Sequence, residues 1–288
     1  MQPQRPTVIT LIAGPGAEKH LAKIAATLDE RIDWLGPAAC DIEAGSVTEA
    51  VVRAAVGGLP IDVVVQPAAG RKKRLLVADL ESTIIENEML EELADFLGMR
   101  AHVAEITRRA MNGEIDFVAA LTERVALLRG LRASVLDEAA RRVRLMPGAA
   151  ALLATLRRAG VRTALASGGF TVFAEPVAAR LGFDRVVANR LALDGDRLAG
   201  TLTPPLVTAA TKLETLGALT AEFGLTLDET VAVGDGANDL PMLSAAGLGI
   251  AFRAKPAVAA ASRWRIDHAD LTALLYAQGY RRAEFAGD

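Results

Sequence analysis

Asp79 and Glu81 stand two positions apart just after an apolar run, Leu75 to Val77, and two hydroxyls, Ser82 and Thr83, follow directly. Other stretches carry related chemistry: "SGGFT" from Ser167 to Thr171, the single Lys212, and "GDGANDLPML" from Gly234 to Leu243, which holds Asp235 and Asp239. Brought together, these stretches would gather carboxylates, a hydroxyl and an ammonium around one point. Clustered carboxylates repel and persist together only when protonated or bound to a cation. Oxygen donors with no cysteine or histidine among them suit a hard cation, Mg²⁺ above all. Such an ion beside a lysine and a hydroxyl is suited to holding a phosphoryl group, whose transfer depends mainly on positioning and electrostatics. An aspartate can itself be the nucleophile that accepts that group.

Residues so far apart need a scaffold that delivers them to one edge. From Leu75 onward, strand-like runs ("RLLVAD", "VRTALAS", "TVAVGD", "GLGIAF") are interspersed with helical patterns over 148–159, 170–182, 208–223 and 239–246. That alternation predicts an α/β fold, a Rossmann-like parallel sheet with helices on both faces. Ligands in such sheets bind beyond the carboxyl ends of the strands. Asp79, Ser167 and Asp235 fall at three such ends, and Lys212 lies at the start of the helix before the third. Between the first two strands, "NEMLEELADFLG", "HVAEITRRAMNG" and "DFVAALTERVALLRG" each show helical spacing of apolar residues, which predicts an inserted helical cap. "ANRLALDGDRLAGTLT" reads as a hairpin around Asp194-Gly195.

Ahead of this core, residues 7–69 read as a small α/β unit. "TVITLIA" is a strand, Glu18 to Glu30 a helix, "WLGPAACDIEA" a strand or irregular segment, and "IDVVVQP" a further strand. A second helix is expected from Ser46 to Val56, with Ser46 as its N-cap. "AAGRKKR" from Ala68 to Arg74 reads as a solvated linker, since no aromatics interleave its charges. The expected domains are 1–70 for the small unit, 71–84 with 146–288 for the core, and 85–145 for the cap.

Composition narrows the function classes. The chain has 288 residues, 51% of them apolar, and a formal net charge of −3, which gives no general pull toward nucleic acid or an anionic membrane. Aromatics at 4% supply no base-stacking platform. No apolar stretch is long enough to span a bilayer, and the early "TVITLIAG" reads as a strand rather than a secretory signal. The single cysteine, Cys40, cannot form an internal disulfide and fits a reducing cytoplasm. His20, His102 and His268 are scattered without metal-ligand spacing, and a structural hydrogen bond is expected for His268. Gly14-Pro15-Gly16 lacks the rest of a dinucleotide fingerprint and reads as a turn.

"DLEST", "SGGFT", Lys212 and "GDGANDLPML", in that order, resemble the four motifs of the haloacid dehalogenase-like hydrolases. Within that superfamily the chain is similar to the bacterial phosphoserine phosphatases over about 75–280, including "ENEMLEELA", "MNGEIDF", "RVALLRGL", "AFRAKP" and "RIDHADLTALLYAQGY". The N-terminal unit resembles the degenerate ACT-like domain fused to some members. The resemblance implies Mg²⁺-dependent hydrolysis of O-phospho-L-serine to serine and phosphate through an aspartyl-phosphate, the last step of serine biosynthesis. It implies Asp79 as nucleophile and Glu81 as general acid/base. The metal would be held by Asp79, the backbone carbonyl of Glu81, and Asp235, with Asp239 in support. Ser167, Gly168, Lys212 and Asn238 would receive the phosphoryl group. In the cap, Glu88 would meet the substrate's ammonium and Arg124 its carboxylate, while Met111 and Phe117 shield the site. The implied partner is a small phosphomonoester, with no nucleic acid and no membrane; a homodimer is left open.

Glu81 departs from the pattern, since most members carry aspartate there. The two acids have nearly the same solution pKa, so the acid/base task survives. The added methylene moves the carboxyl group, and proton transfer is sensitive to geometry. "DLE" also resembles a relative that moves phosphate from phosphoserine to homoserine. Phosphotransfer to homoserine or another small alcohol is therefore one alternative. An amino-acid-binding regulatory protein with weakened catalysis, suggested by the extra N-terminal unit, is the other.

Overall fold

The computed structural model describes residues 7–28, 30–44 and 47–287. The N-terminal part runs β1 (Thr7–Ala13), α1 (Glu18–Leu28), β2 (Ile32–Gly36), β3 (Ala39–Ala44), α2 (Glu49–Val56) and β4 (Ile61–Pro67). Its strands pair antiparallel in the order β2-β3-β1-β4, the arrangement of a ferredoxin-like βαββαβ unit. Leu21 and Ile24 of α1 and Val52 and Val56 of α2 pack with Ile9, Leu11, Ile42 and Val63 of the sheet. "WLGPAACDIEA" contributes to the β2–β3 hairpin, and α1 ends at Leu28 rather than Glu30. The second helix begins at Glu49, and Thr48 caps it by accepting the Val51 N–H on Oγ1. Ser46, the expected cap, lies outside the described residues.

The core continues with β5 (Leu75–Ala78), then four helices: α3 (Met89–Asp95), α4 (Arg100–Met111), α5 (Phe117–Ala126) and α6 (Ser134–Ala140). Sequence periodicity marks three segments there, and α6 is an additional helix. Next come α7 (Ala149–Arg158), β6 (Arg162–Phe170), α8 (Thr171–Leu181), β7 (Arg185–Asp194), β8 (Arg197–Thr203), α9 (Ala209–Glu222) and β9 (Thr230–Gly234). The chain ends with α10 (Leu240–Ala245), β10 (Leu248–Phe252), α11 (Pro256–Ala261), β11 (Trp264–Ile266) and α12 (Ala273–Ala277). The sheet order is β11-β10-β9-β5-β6-β7-β8, parallel except for β8, which returns antiparallel from β7 through the expected hairpin.

"LLVA", "TVAVG" and "LGIAF" are buried at every position, as parallel strands covered on both faces require. Successive β5 residues point to opposite faces. Leu76 and Ala78 pack with Leu152 of α7 and Phe173 of α8, while Leu75 and Val77 pack with Leu216 of α9 and Met242 of α10. From β5 the chain steps one way to β6 and β7, then returns to β9 on the other side and continues outward. The reversal falls between β5 and β9, where open α/β sheets form their binding crevice.

The N-terminal unit docks along β11 and α12. Ile12 and Val64 share an apolar cluster with Leu274 and Leu275. The Asp62 carboxylate accepts the backbone N–H groups of Asp267 (2.8 Å), His268 (3.2 Å) and Ala269 (2.9 Å), and Trp264 Nε1 donates to Val65 O at 2.6 Å. The hydrogen bond expected of His268 is thus made by its backbone. No helix among the described residues is long and apolar enough to cross a membrane.

Candidate active site

Strand register assembles the site. Ala78 is level with Val233 of β9 and Leu165 of β6. Asp79 therefore leaves the sheet between the Gly234–Asp235 and Ala166–Ser167 ends, its N–H donating to Val233 O at 3.0 Å. Lys212 comes from the first turn of α9, which Thr208 caps. The fully buried Lys212 ammonium donates to Asp79 Oδ1 at 2.7 Å and to Asp239 Oδ1 at 2.6 Å. Asp239 also accepts the Gly236 N–H on Oδ2 at 3.0 Å. Gly234 is required beside it, because a Cβ there would run into the Asp239 carboxylate.

Over this floor lies a narrow cavity of about 30 Å³ between core and insert. Asp79, Glu81, Ser167, Gly168, Asp235 and Asn238 line it from the core, and Glu88, Met111, Phe117 and Arg124 from the insert. All twelve residues singled out in the sequence thus gather here: ten line the cavity, and Lys212 and Asp239 lie directly behind Asp79. Ser82 adopts φ 54°, a left-handed turn that costs a non-glycine residue on the order of 1 kcal/mol. That turn lets Ser82 Oγ donate to Glu88 Oε1 at 2.6 Å. Glu81 Oε1 accepts the Met89 N–H at 3.0 Å, tying the acid to the first residue of α3. Arg124 is held by Ala120 O and by Thr107 Oγ1 at 2.7 Å. Gly168 keeps the cavity passable: a Cβ there would come within 2.8 Å of Phe117 Cζ.

The electrostatics follow from burial. Loss of water pushes Asp79 up to about 7; the Lys212 ammonium opposes the rise, and Asp239 and Asp235 add to it. Asp235 is likewise pushed up to about 7 by burial, against Lys255 and with Glu88 and Asp239. Glu81 is held well above the usual carboxylate range by burial, then by Glu88 and Asp79. Burial alone would lower the Lys212 ammonium, but Asp239 and Asp79 outweigh it and leave it raised. Asp79, Asp235 and Asp239 each offer an oxygen within 4.8 Å of the others. Asp235 Oδ2 is buried and accepts no hydrogen bond of good geometry. An all-oxygen set with an unsatisfied buried acceptor fits a hard divalent cation such as Mg²⁺.

Several further residues at the site were not singled out in the sequence, among them the apolar lining residues Leu90, Leu121 and Phe170. Lys255, inside the quoted "AFRAKP", places Nζ 3.0 Å from Asp235 Oδ2; a lysine just before a proline gave no periodic signal. Gly169 also lines the cavity, and a Cβ on it would meet Glu81 Oε1 at 2.9 Å. Asn189 is buried and braces the Gly168 carbonyl at 2.8 Å while accepting the Val207 N–H. Nothing in its strand setting marked it in advance.

A parallel sheet reversing at β5 and β9, with an aspartate at its crevice and a helical insert above, defines a class of hydrolases, and residues 76–244 match that class: haloacid dehalogenase-like hydrolase. The chain belongs to this family. It is 43% identical over 234 residues to the phosphoserine phosphatase SerB2 of Mycobacterium tuberculosis, covering 79% of this chain and 57% of that protein. The chain thus spans little more than half the length of that relative. To the phosphoserine phosphatase of Lactococcus lactis it is 44% identical over 203 residues, 70% of this chain and 94% of that protein. A solved haloacid dehalogenase family hydrolase from Salmonella enterica serovar Typhi superposes with a TM-score of 0.82 at 30% identity, over 96% of this chain and 99% of that one.

Proposed function

We propose that this chain is a Mg²⁺-dependent phosphatase that hydrolyses O-phospho-L-serine to L-serine and phosphate. One observation carries the reading: Asp79, backed by Lys212 and beside Asp235, faces a cavity that also contains Glu88 and Arg124. Residues 71–84 and 146–288 act as the catalytic core, 85–145 as the cap and 1–70 as a docked ACT-like domain. Asp79, the Glu81 carbonyl and Asp235 hold the ion, with Asp239 in support; when bound, it neutralises phosphoryl oxygens and so favours attack by an anion.

Glu88 pairs with the substrate ammonium, and Arg124 takes its carboxylate in a bidentate fork. Ser167, Asn238 and Lys212 meet the phosphoryl oxygens, and the bare Gly168 backbone lets them approach. A carboxylate oxygen of Asp79 attacks phosphorus; the bond to the serine oxygen breaks as Glu81 gives that oxygen its proton. Water then attacks the aspartyl-phosphate, Glu81 takes the water's proton, and phosphate leaves with Asp79 restored. Met111 and Phe117 keep bulk water out of the first step. The product places the enzyme at the end of serine biosynthesis.

Phosphate release from O-phospho-L-serine with Mg²⁺, and its loss on chelation, tests the reading; no release by the wild type sinks it. Glutamate at position 81, whose added methylene moves the carboxyl group, motivates a second reading, transfer to homoserine or another small alcohol. Phosphohomoserine formed when homoserine is supplied would establish that route.

A further inference from the structure

Lys255 has no part in the reaction just described, yet its ammonium lies against the carboxylate cluster. Its backbone is pinned. The Lys255 N–H donates to Asp235 O at 3.0 Å, and Pro256 opens α11 directly after it. Two residues earlier, Arg253 holds φ 43° with its N–H on Ile266 O and its guanidinium on Ala269 O at 3.1 Å. The side chain is another matter. It is 29% exposed, and its Nζ reaches Asp235 Oδ2 at 3.0 Å as an ion pair without good hydrogen-bond geometry.

The two lysines of the site differ in this respect. Lys212 is wholly buried and bonded to two carboxylates, so it is a fixed part of the floor. Lys255 has solvent on one side, a flexible four-carbon stem, and one ion-pair partner at short range, with Glu88 and Glu91 attracting it from farther off. A carboxylate as buried as Asp235 needs a compensating charge. A divalent ion on the Asp79–Asp235 pair would supply it and would repel an ammonium held at ion-pair distance.

We propose that Lys255 is a built-in stand-in for the divalent cation. Its ammonium neutralises Asp235 in the ion-free protein and swings into solvent when the ion binds, so that Lys255 sets the ion affinity of the site. The proposal rests on the reading of Asp79 and Asp235 as ion holders. It makes Lys255 a positioning residue for the cluster, with no contact to the reacting atoms.

The test uses the full chain stripped of divalent ions. Lysine acylation is quantified by mass spectrometry with and without MgCl₂, with exposed Lys19 as the internal reference. Release from Asp235 should raise the Lys255 labelling rate several-fold on addition of Mg²⁺, while Lys19 is unchanged. In calorimetry, Lys255→Met should bind Mg²⁺ roughly tenfold more tightly than wild type, because the competing charge is gone; Lys255→Gln serves the same purpose if the Met variant aggregates. Wild type that takes up Mg²⁺ with unchanged Lys255 labelling overturns this inference alone. So do variants that bind Mg²⁺ no more tightly than wild type. Wild type that takes up no Mg²⁺ overturns the ion reading and this inference together.

Discussion

Asp62 and Asp235 are both buried aspartates at strand ends, 4% and 3% exposed, and they are treated oppositely. Asp62 accepts three consecutive backbone N–H groups from the segment after β11. Asp235 keeps an oxygen with no well-formed hydrogen bond, beside two more carboxylates and an ammonium. The first arrangement is complete as it stands and locks the N-terminal unit to the core. The second is complete only with something added. A buried charge satisfied by amides is architecture, whereas one with an acceptor left over among other carboxylates has the donor set of a binding site.

The comparison breaks most sharply at the cleft. Asp79→Asn keeps the shape of the floor but removes the nucleophile, and phosphate release from phosphoserine should fall by roughly 10³-fold or more while the far-ultraviolet spectrum is unchanged. Substantial activity in this variant would mean that the cleft, like Asp62, is only architecture. Glu81→Gln comes next, with a loss of roughly 10²- to 10⁴-fold, the usual range for a general acid/base. Its pH profile has a definite sign. Burial, Glu88 and Asp79 raise the Glu81 carboxyl well above the usual range, so it keeps its proton where an exposed glutamate would not. Turnover limited by the first step should therefore decline as pH rises through that raised pKa, and the glutamine variant should lose this limb. A wild-type rate that is flat or rises over that range counts against Glu81 as the donor.

The same contrast explains what the sequence disclosed. The β5, β9 and β10 strands were legible because burial on both faces demands unbroken apolar runs, and Asp79 and Asp235 stood out as acids at their ends. Residues 239–246 and 208–223 were legible as helices because one apolar face recurs at helical spacing. Contacts between distant backbones were not legible. Asp62 looked like an ordinary strand residue, since its partners are amides some 205 positions away, and amides carry no sequence signature. Thr48 and Ser46 are both good cap residues, and only the backbone decides that the helix starts after Thr48. Lys255 was hidden because its place beside Asp235 depends on the loop that follows the Arg253 turn, not on any spacing.

Asp62→Ala probes the other half of the comparison. It leaves three N–H groups, one of them buried, without their acceptor, which should cost about 1–3 kcal/mol in urea unfolding. Phosphate release per folded molecule should stay within about twofold of wild type, because no atom of the cleft is touched. A loss of activity in fully folded Asp62→Ala would show that the docked unit shapes the cleft, and the two regions would have to be treated as one.

The smallest expected effect lies within the N-terminal unit itself. Thr48 caps α2 through a long contact, 3.4 Å from the Val51 N–H, at an exposed helix end. Removing that acceptor in Thr48→Ala should cost about 0.5 kcal/mol, the low end for an N-cap, because the bond is stretched and water can replace it. Hydrogen exchange should quicken in the first turn of α2 and not in β4, whose Asp62 anchor is intact. Exchange that quickens through β4 and β11 as well would mean that the docking clamp and the helix open as one unit, so that the hold of Asp62 depends on α2 rather than on its three amides alone.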